Sequence, residues 1–101
     1  MKDLRNRVAA ITGAASGIGR ALALEMADRG GHLAISDVDE EGLSETAAMV
    51  RKRGGDVHEE VVDVAQREDV EAWAGRVADE FGEVHLVFNN AGVSVTGTVE
   101  S

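Results

Sequence analysis

Cysteine is absent from the 101-residue chain, which excludes a disulfide framework, a thiol nucleophile and a thiolate metal site. Tyrosine is absent as well, aromatic residues make up 3% of the chain, and Trp73 is the only tryptophan. No apolar run approaches the ~18 residues of a membrane span. The amino terminus, Met1-Lys2-Asp3-Leu4-Arg5-Asn6-Arg7, is charged where a signal peptide would be apolar. A soluble cytoplasmic protein is the expectation. Basic charge is also scarce: 10 lysines and arginines face 19 acids, for a formal net charge of −9. The imbalance lies in residues 36–101, which hold sixteen acidic and five basic side chains. Such a surface repels phosphate backbones and anionic lipid, so neither nucleic acid nor a membrane is expected as a partner. Solvated helix faces account for the charge.

What remains is enough for one small domain. Hydrophobic residues make up 44% of the chain, an ordinary share for a globular protein. No repeat or low-complexity tract interrupts it.

The organising stretch is Ile11-Thr12-Gly13-Ala14-Ala15-Ser16-Gly17-Ile18-Gly19-Arg20. An apolar run, Val8 to Ile11, precedes it, and helical periodicity follows: Gly19, Leu22, Ala23, Met26 and Ala27 recur on one face as far as about Arg29. Three glycines therefore fall at a strand-to-helix turn, where backbone N–H groups and the positive end of the helix dipole can meet an anion directly. Without a ligand, the same glycines would simply make a tight turn. A Walker loop is excluded, because it needs Lys and then Ser or Thr after the last glycine, and this chain has Arg20-Ala21.

The remaining elements alternate. His32 to Asp37 reads as a second strand, Asp39 to Arg53 as a helix with Leu43, Ala47 and Val50 inward, and Asp56 to Val62 as a more polar, edge-type strand. Gln66 to Phe81 carries Val70, Trp73, Ala74, Val77, Ala78 and Phe81 on one helical face. Val84 to Phe88 reads as the fourth strand. With right-handed crossovers this alternation gives a parallel sheet ordered 3-2-1-4, with a ligand crevice at the carboxyl ends of strands 1 and 4. Asp37, eighteen positions past Gly19, stands where a ribose-binding acid belongs in a dinucleotide fold. Alternatively it caps the next helix, a role Asp39 could fill instead. Asp63 similarly reads as either a ligand contact or a helix cap. His32, His58 and His85 fall in three separate strands without metal-ligand spacing, and no metal site is expected.

The pattern Thr12-Gly13-x-x-x-Gly17-Ile18-Gly19, together with the block Asn89-Asn90-Ala91-Gly92 some seventy residues later, resembles the short-chain dehydrogenase/reductase family. The matching residues run from Arg7 to about Gly92. The resemblance implies an α/β, Rossmann-like, doubly wound fold, truncated here, with a dinucleotide-binding half over residues 1–92 and a tail over 93–101. It implies a nicotinamide cofactor held by Gly13, Ser16, Gly17, Ile18 and Gly19 at the diphosphate, by Asp37 at the ribose, and by Asp63 and Val64 at the adenine. Asn90, Ala91 and Gly92 would meet the nicotinamide side. In the family, members that prefer NADP carry a basic residue at the position of Ser16 or Val38. Both are uncharged here, so NAD is expected over NADP.

The resemblance further implies hydride transfer between the nicotinamide and an alcohol or carbonyl carbon. Family members use a Tyr-x-x-x-Lys pair with a serine for this, and they usually assemble as homo-oligomers. No tyrosine is present, and Lys52 belongs to the second helix, so no catalytic residue can be assigned. The expectation is the amino-terminal half of an oxidoreductase, binding its cofactor weakly and not turning over, with an open apolar edge at Leu86 to Phe88. A stand-alone NAD-binding sensor is the alternative. A sugar-nucleotide epimerase of the extended branch fits less well, since its loop tends toward G-x-x-G-x-x-G.

Overall fold

A computed structural model describes Arg5, residues 7–63 and residues 67–90. Strands and helices alternate as β1 (Val8–Thr12), α1 (Gly17–Asp28), β2 (His32–Asp37), α2 (Glu40–Lys52), β3 (Asp56–Val61), α3 (Arg67–Phe81) and β4 (Leu86–Asn89). All strand pairs are parallel, and the sheet order is β3-β2-β1-β4, the order expected from right-handed crossovers. The fold is therefore a Rossmann-like parallel sheet flanked by helices.

β1 is buried along its whole length because each face of its pleat feeds a different core. Ala9 and Ile11 join Leu33 and Ile35 beneath Ala23 and Met26 of α1 and Leu43, Ala47 and Val50 of α2. Val8 and Ala10 point the other way and join Ala34 beneath Val70, Trp73 and Val77 of α3. The small residues on the inner face of α1 (Gly19, Ala23 and Ala27) are all buried, as close helix–sheet packing requires.

The helix ends follow from local chemistry. Asp39, not Asp37, caps α2: its Oδ1 accepts from the Gly42 N–H at 3.1 Å. Glu40 and Glu41 stand in the first turn of α2 and Arg51 and Lys52 in its last, so the charges complement the helix dipole. α1 and α2 close in the same way. Gly30 and Gly31 donate to Ala27 O and Met26 O, and Gly54 and Gly55 donate to Arg51 O and Val50 O, which is the Schellman pattern.

β3 lies at one edge, as its polarity foretold. Its two adjacent glutamates serve opposite faces: Glu59 pairs with Arg51 of α2 at 3.2 Å and Glu60 with Arg76 of α3 at 2.7 Å. The other edge differs from the sequence expectation. β4 begins at Leu86, and Val84 and His85 lead up to it, so His85 is not a strand residue. Its backbone N–H donates to Val8 O at 2.9 Å, while the Val8 N–H donates to His85 Nδ1 at 2.9 Å. The imidazole thus takes the place of the carbonyl that would have continued the ladder. Other boundaries also tighten: α1 ends at Asp28, α2 runs from Glu40 to Lys52 with Asp39 and Arg53 as its caps, and β3 ends at Val61. The expected start of the third helix, Gln66, and the 93–101 tail lie outside the described residues.

Candidate functional site

Because the strands are parallel and in register, Thr12, Asp37, Val61 and Asn89 all end at one edge of the sheet. The loop from Gly13 to Ser16 leaves β1 at this edge and enters α1. Its Ala14 N–H donates to Ser36 O at 3.1 Å, which pins the loop to β2. α1 is seated directly on the loop: a Cβ at Gly19 would lie 2.0 Å from Gly13 O. Gly17 has φ +57°, and a Cβ there would meet nothing within 4 Å, so the space above it is open.

The start of α1 is exposed electrostatically as well as sterically. Ser16, the N-cap, makes no capping bond with its side chain, and no acid stands in the first turn. The first bond of helical type runs from Arg20 N–H to Ser16 O at 3.3 Å. The amides of Gly17, Ile18 and Gly19 precede it and have no carbonyl within the helix to donate to. Three N–H groups without a helical partner and the dipole end thus gather beside the open space at Gly17, an arrangement suited to an anion. Ile18 is 70% exposed beside them.

Asp37 closes the loop from the β2 side. Its Oδ2 accepts from Ala15 N–H at 2.9 Å and its Oδ1 from Asp39 N–H at 3.0 Å. A carboxylate has about four acceptor sites, so hydroxyl donors can still be accommodated. Asp63 lies exposed past the end of β3 on the same edge.

On the other side of the loop, the fully buried Thr12 hydroxyl donates to Asn89 Oδ1 at 2.6 Å and accepts from Asn90 N–H at 2.9 Å. Asn90 Nδ2 reaches back to Gly13 O at 3.4 Å. The asparagine pair thus bridges the ends of β1 and β4. Gly13, Ser16, Gly17, Ile18, Gly19, Asp37, Asp63 and Asn90 are all brought to one edge. Val64, Ala91 and Gly92 lie outside the described residues.

Sequence reasoning missed a group behind the loop. Arg20 Nη2 donates to Ala15 O at 2.6 Å and Gly42 O at 3.1 Å, and its Nε donates to Thr46 Oγ1 at 2.8 Å. Thr46, fully buried, donates in turn to Ala14 O at 2.7 Å. The only signal available was a polar residue, Thr46, at an inward position of an otherwise apolar helix face.

A short chain dehydrogenase family model matches residues 7–101. The chain belongs to the short-chain dehydrogenase family. Among its relatives is SadH of Mycobacterium tuberculosis, named only provisionally as an oxidoreductase. It is 47% identical over 100 residues, which are 99% of this chain and 36% of SadH. The crystal structure of an NAD+-bound xylitol dehydrogenase superposes with a TM-score of 0.81 at 36% identity, covering 90% of this chain and 35% of that protein. A short-chain dehydrogenase/reductase from Burkholderia phymatum in complex with NAD gives 0.77 at 40% identity, with 86% and 31% covered. The chain thus spans about a third of the length of the relatives it matches. Family and neighbours agree with the Rossmann-like parallel sheet described above. Among the described residues no helix is long and apolar enough to cross a membrane, and no cluster of three or more His, Asp or Glu could hold a metal.

Proposed function

We propose that this chain is the cofactor-binding portion of an NAD-dependent alcohol or carbonyl oxidoreductase. The observation that carries the reading is the bond between Asp37 Oδ2 and Ala15 N–H. It fixes a carboxylate against the loop whose next residues present unpaired helix-start amides, so the sites for a ribose and for a diphosphate are held at a set spacing.

The residues fit the group. Gly17, Ile18 and Gly19 offer N–H donors to the diphosphate, and the open space above Gly17 leaves room for it. Asp37 accepts from ribose hydroxyls and repels a 2′-phosphate, while Ser16 and Val38 supply no cation to offset that repulsion. NAD is therefore favoured over NADP. Asp63 and Val64 are assigned to the adenine, and Asn90, Ala91 and Gly92 to the nicotinamide side. When bound, the nicotinamide supplies hydride exchange with an alcohol or carbonyl carbon. This chain's part is to bind and orient, since the sequence contains no tyrosine to move the accompanying proton.

Titration of the 101-residue chain with NADH, followed by amide chemical shifts, tests the reading. The Ala15 to Gly19 resonances are expected to move, with NADPH binding at least about tenfold more weakly, the equivalent of about 1.4 kcal/mol. Unmoved amides in a folded chain would refute it.

A further inference from the structure

We propose that Arg20 is a positioning residue for the diphosphate loop, acting through α2 and not through contact with the anion. This inference deepens the dinucleotide reading above and rests on it. A guanidinium in the first turn of a helix whose amino end faces an anion site would ordinarily be read as a phosphate contact. Here it turns the other way. Nη2 bridges Ala15 O and Gly42 O, and Nε donates to Thr46 Oγ1. Having accepted that bond, the Thr46 hydroxyl directs its own proton to Ala14 O at 2.7 Å. Two consecutive loop carbonyls are thereby held, Ala14 O by Thr46 of α2 and Ala15 O by Arg20 of α1, whose guanidinium is itself anchored on α2.

Peptide planarity carries the consequence to the front of the loop. In a trans peptide the N–H points opposite to the C=O. With Ala14 O on Thr46, the N–H of the same peptide, that of Ala15, meets Asp37 Oδ2. With Ala15 O on Arg20, the Ser16 N–H is aimed away from Arg20, at the start of α1. The fit behind the loop is close, since a Cβ at Gly42 would lie 2.9 Å from Ala15 O and Ala15 Cβ. α2 therefore presses on the loop directly, and the hydrogen bonds fix which way its peptides face. Glu45, 3.8 Å from Nη2 and 58% exposed, adds little. A loop ordered in advance spares the ligand the entropy of ordering it.

The test uses the full chain with NADH as probe and three variants: Arg20→Met, which keeps much of the aliphatic stem, Thr46→Val, which removes the hydroxyl isosterically, and Thr46→Ser, which restores it. The expected result is roughly tenfold weaker NADH binding in Arg20→Met and Thr46→Val, on the scale of one hydrogen bond to a charged group. Thr46→Ser should stay near the unmodified chain. The Ser16 and Gly17 amide resonances of the unliganded Arg20→Met and Thr46→Val chains should also shift, and the salt dependence of NADH binding should keep its slope. A merely structural role would lower the melting temperature without that pattern of amide shifts. A direct phosphate contact would instead reduce the salt slope in Arg20→Met and leave Thr46→Val unaffected. Either result overturns the proposal, as does unchanged affinity in both variants. If Arg20→Met does not fold, the Thr46→Val and Thr46→Ser pair decides alone. Absence of NADH binding by the unmodified chain would remove the dinucleotide reading and this inference together, whereas unchanged affinity in the variants removes only the inference.

Discussion

Two glycines of the loop are required for different reasons, and substitution separates them. At Gly19 an added Cβ would lie 2.0 Å from Gly13 O and 2.7 Å from Gly13 C, both backbone atoms that cannot swing aside. Gly19→Ala must therefore push α1 off the loop. The expected loss is about 1–3 kcal/mol of stability, in the range of overpacking, with NADH binding lost as well. At Gly17 the Cβ would enter open space, and the strain is confined to φ +57°. Gly17→Ala should cost about 1–2 kcal/mol and abolish binding by occupying the space above the amides. Paired denaturant melts and NADH titrations check both, and Gly19→Ala matching the native chain in stability would contradict the close contact. These glycines were legible in the sequence because their requirement is local, three positions in a turn between a strand and a helix. Arg20 and Thr46 were not. Their bonds join residues 26 apart, and no local pattern marks which polar side chain on α1 will find which one on α2.

At the level of elements, the two acids after β2 divide their duties in a way that sequence left open. Asp37 and Asp39 were both candidates for capping α2, and the spacing alone could not choose. The structure gives the cap to Asp39 and ties Asp37 to the loop. Asp39→Ala should therefore cost about 1 kcal/mol of stability while leaving NADH affinity within about twofold. Asp37→Ala should weaken NADH binding by at least about tenfold, the loss of a charge-assisted hydrogen bond or more. Urea midpoints and titrations of the two variants provide the check, and equal affinity losses in both would show that the duties are not divided. Helices were otherwise readable because α2 and α3 each carry a regular inward face, and β1 because its run is apolar throughout, as a strand between two cores must be. The start of β4 was misread for a physical reason. Val84 is buried and apolar, and His85 pairs with Val8 much as a strand residue would, but one of the two bonds comes from an imidazole instead of a carbonyl.

For the molecule as a whole, the two sides of the sheet are unequally covered. Among the described residues, one core lies beneath two helices, α1 and α2, and the other beneath α3. β4, four residues long, forms the sheet edge on the far side of β1, and among the described residues it pairs only with β1. Local stability follows buried apolar contact and paired backbone, so α3 and β4 should open before the β1-β2-α1-α2 unit. Trp73 reports on this directly, being the only tryptophan, fully buried on the inner face of α3, with no hydrogen-bond partner for its indole N–H among the described residues. Its emission should be blue-shifted in the native chain and should move to the red at lower urea than the loss of far-ultraviolet helical signal. Hydrogen exchange should show the same order, with β4 and α3 amides exchanging before those of β1 and β2. Adding NADH should raise the opening energy of β4, because the proposed ligand site is shared by Gly13 and Asn90, which already meet across the β1–β4 junction. Coincident fluorescence and circular dichroism transitions, with uniform exchange across the sheet, would mean that the single-helix side is not the weaker one and that the four strands unfold as one unit.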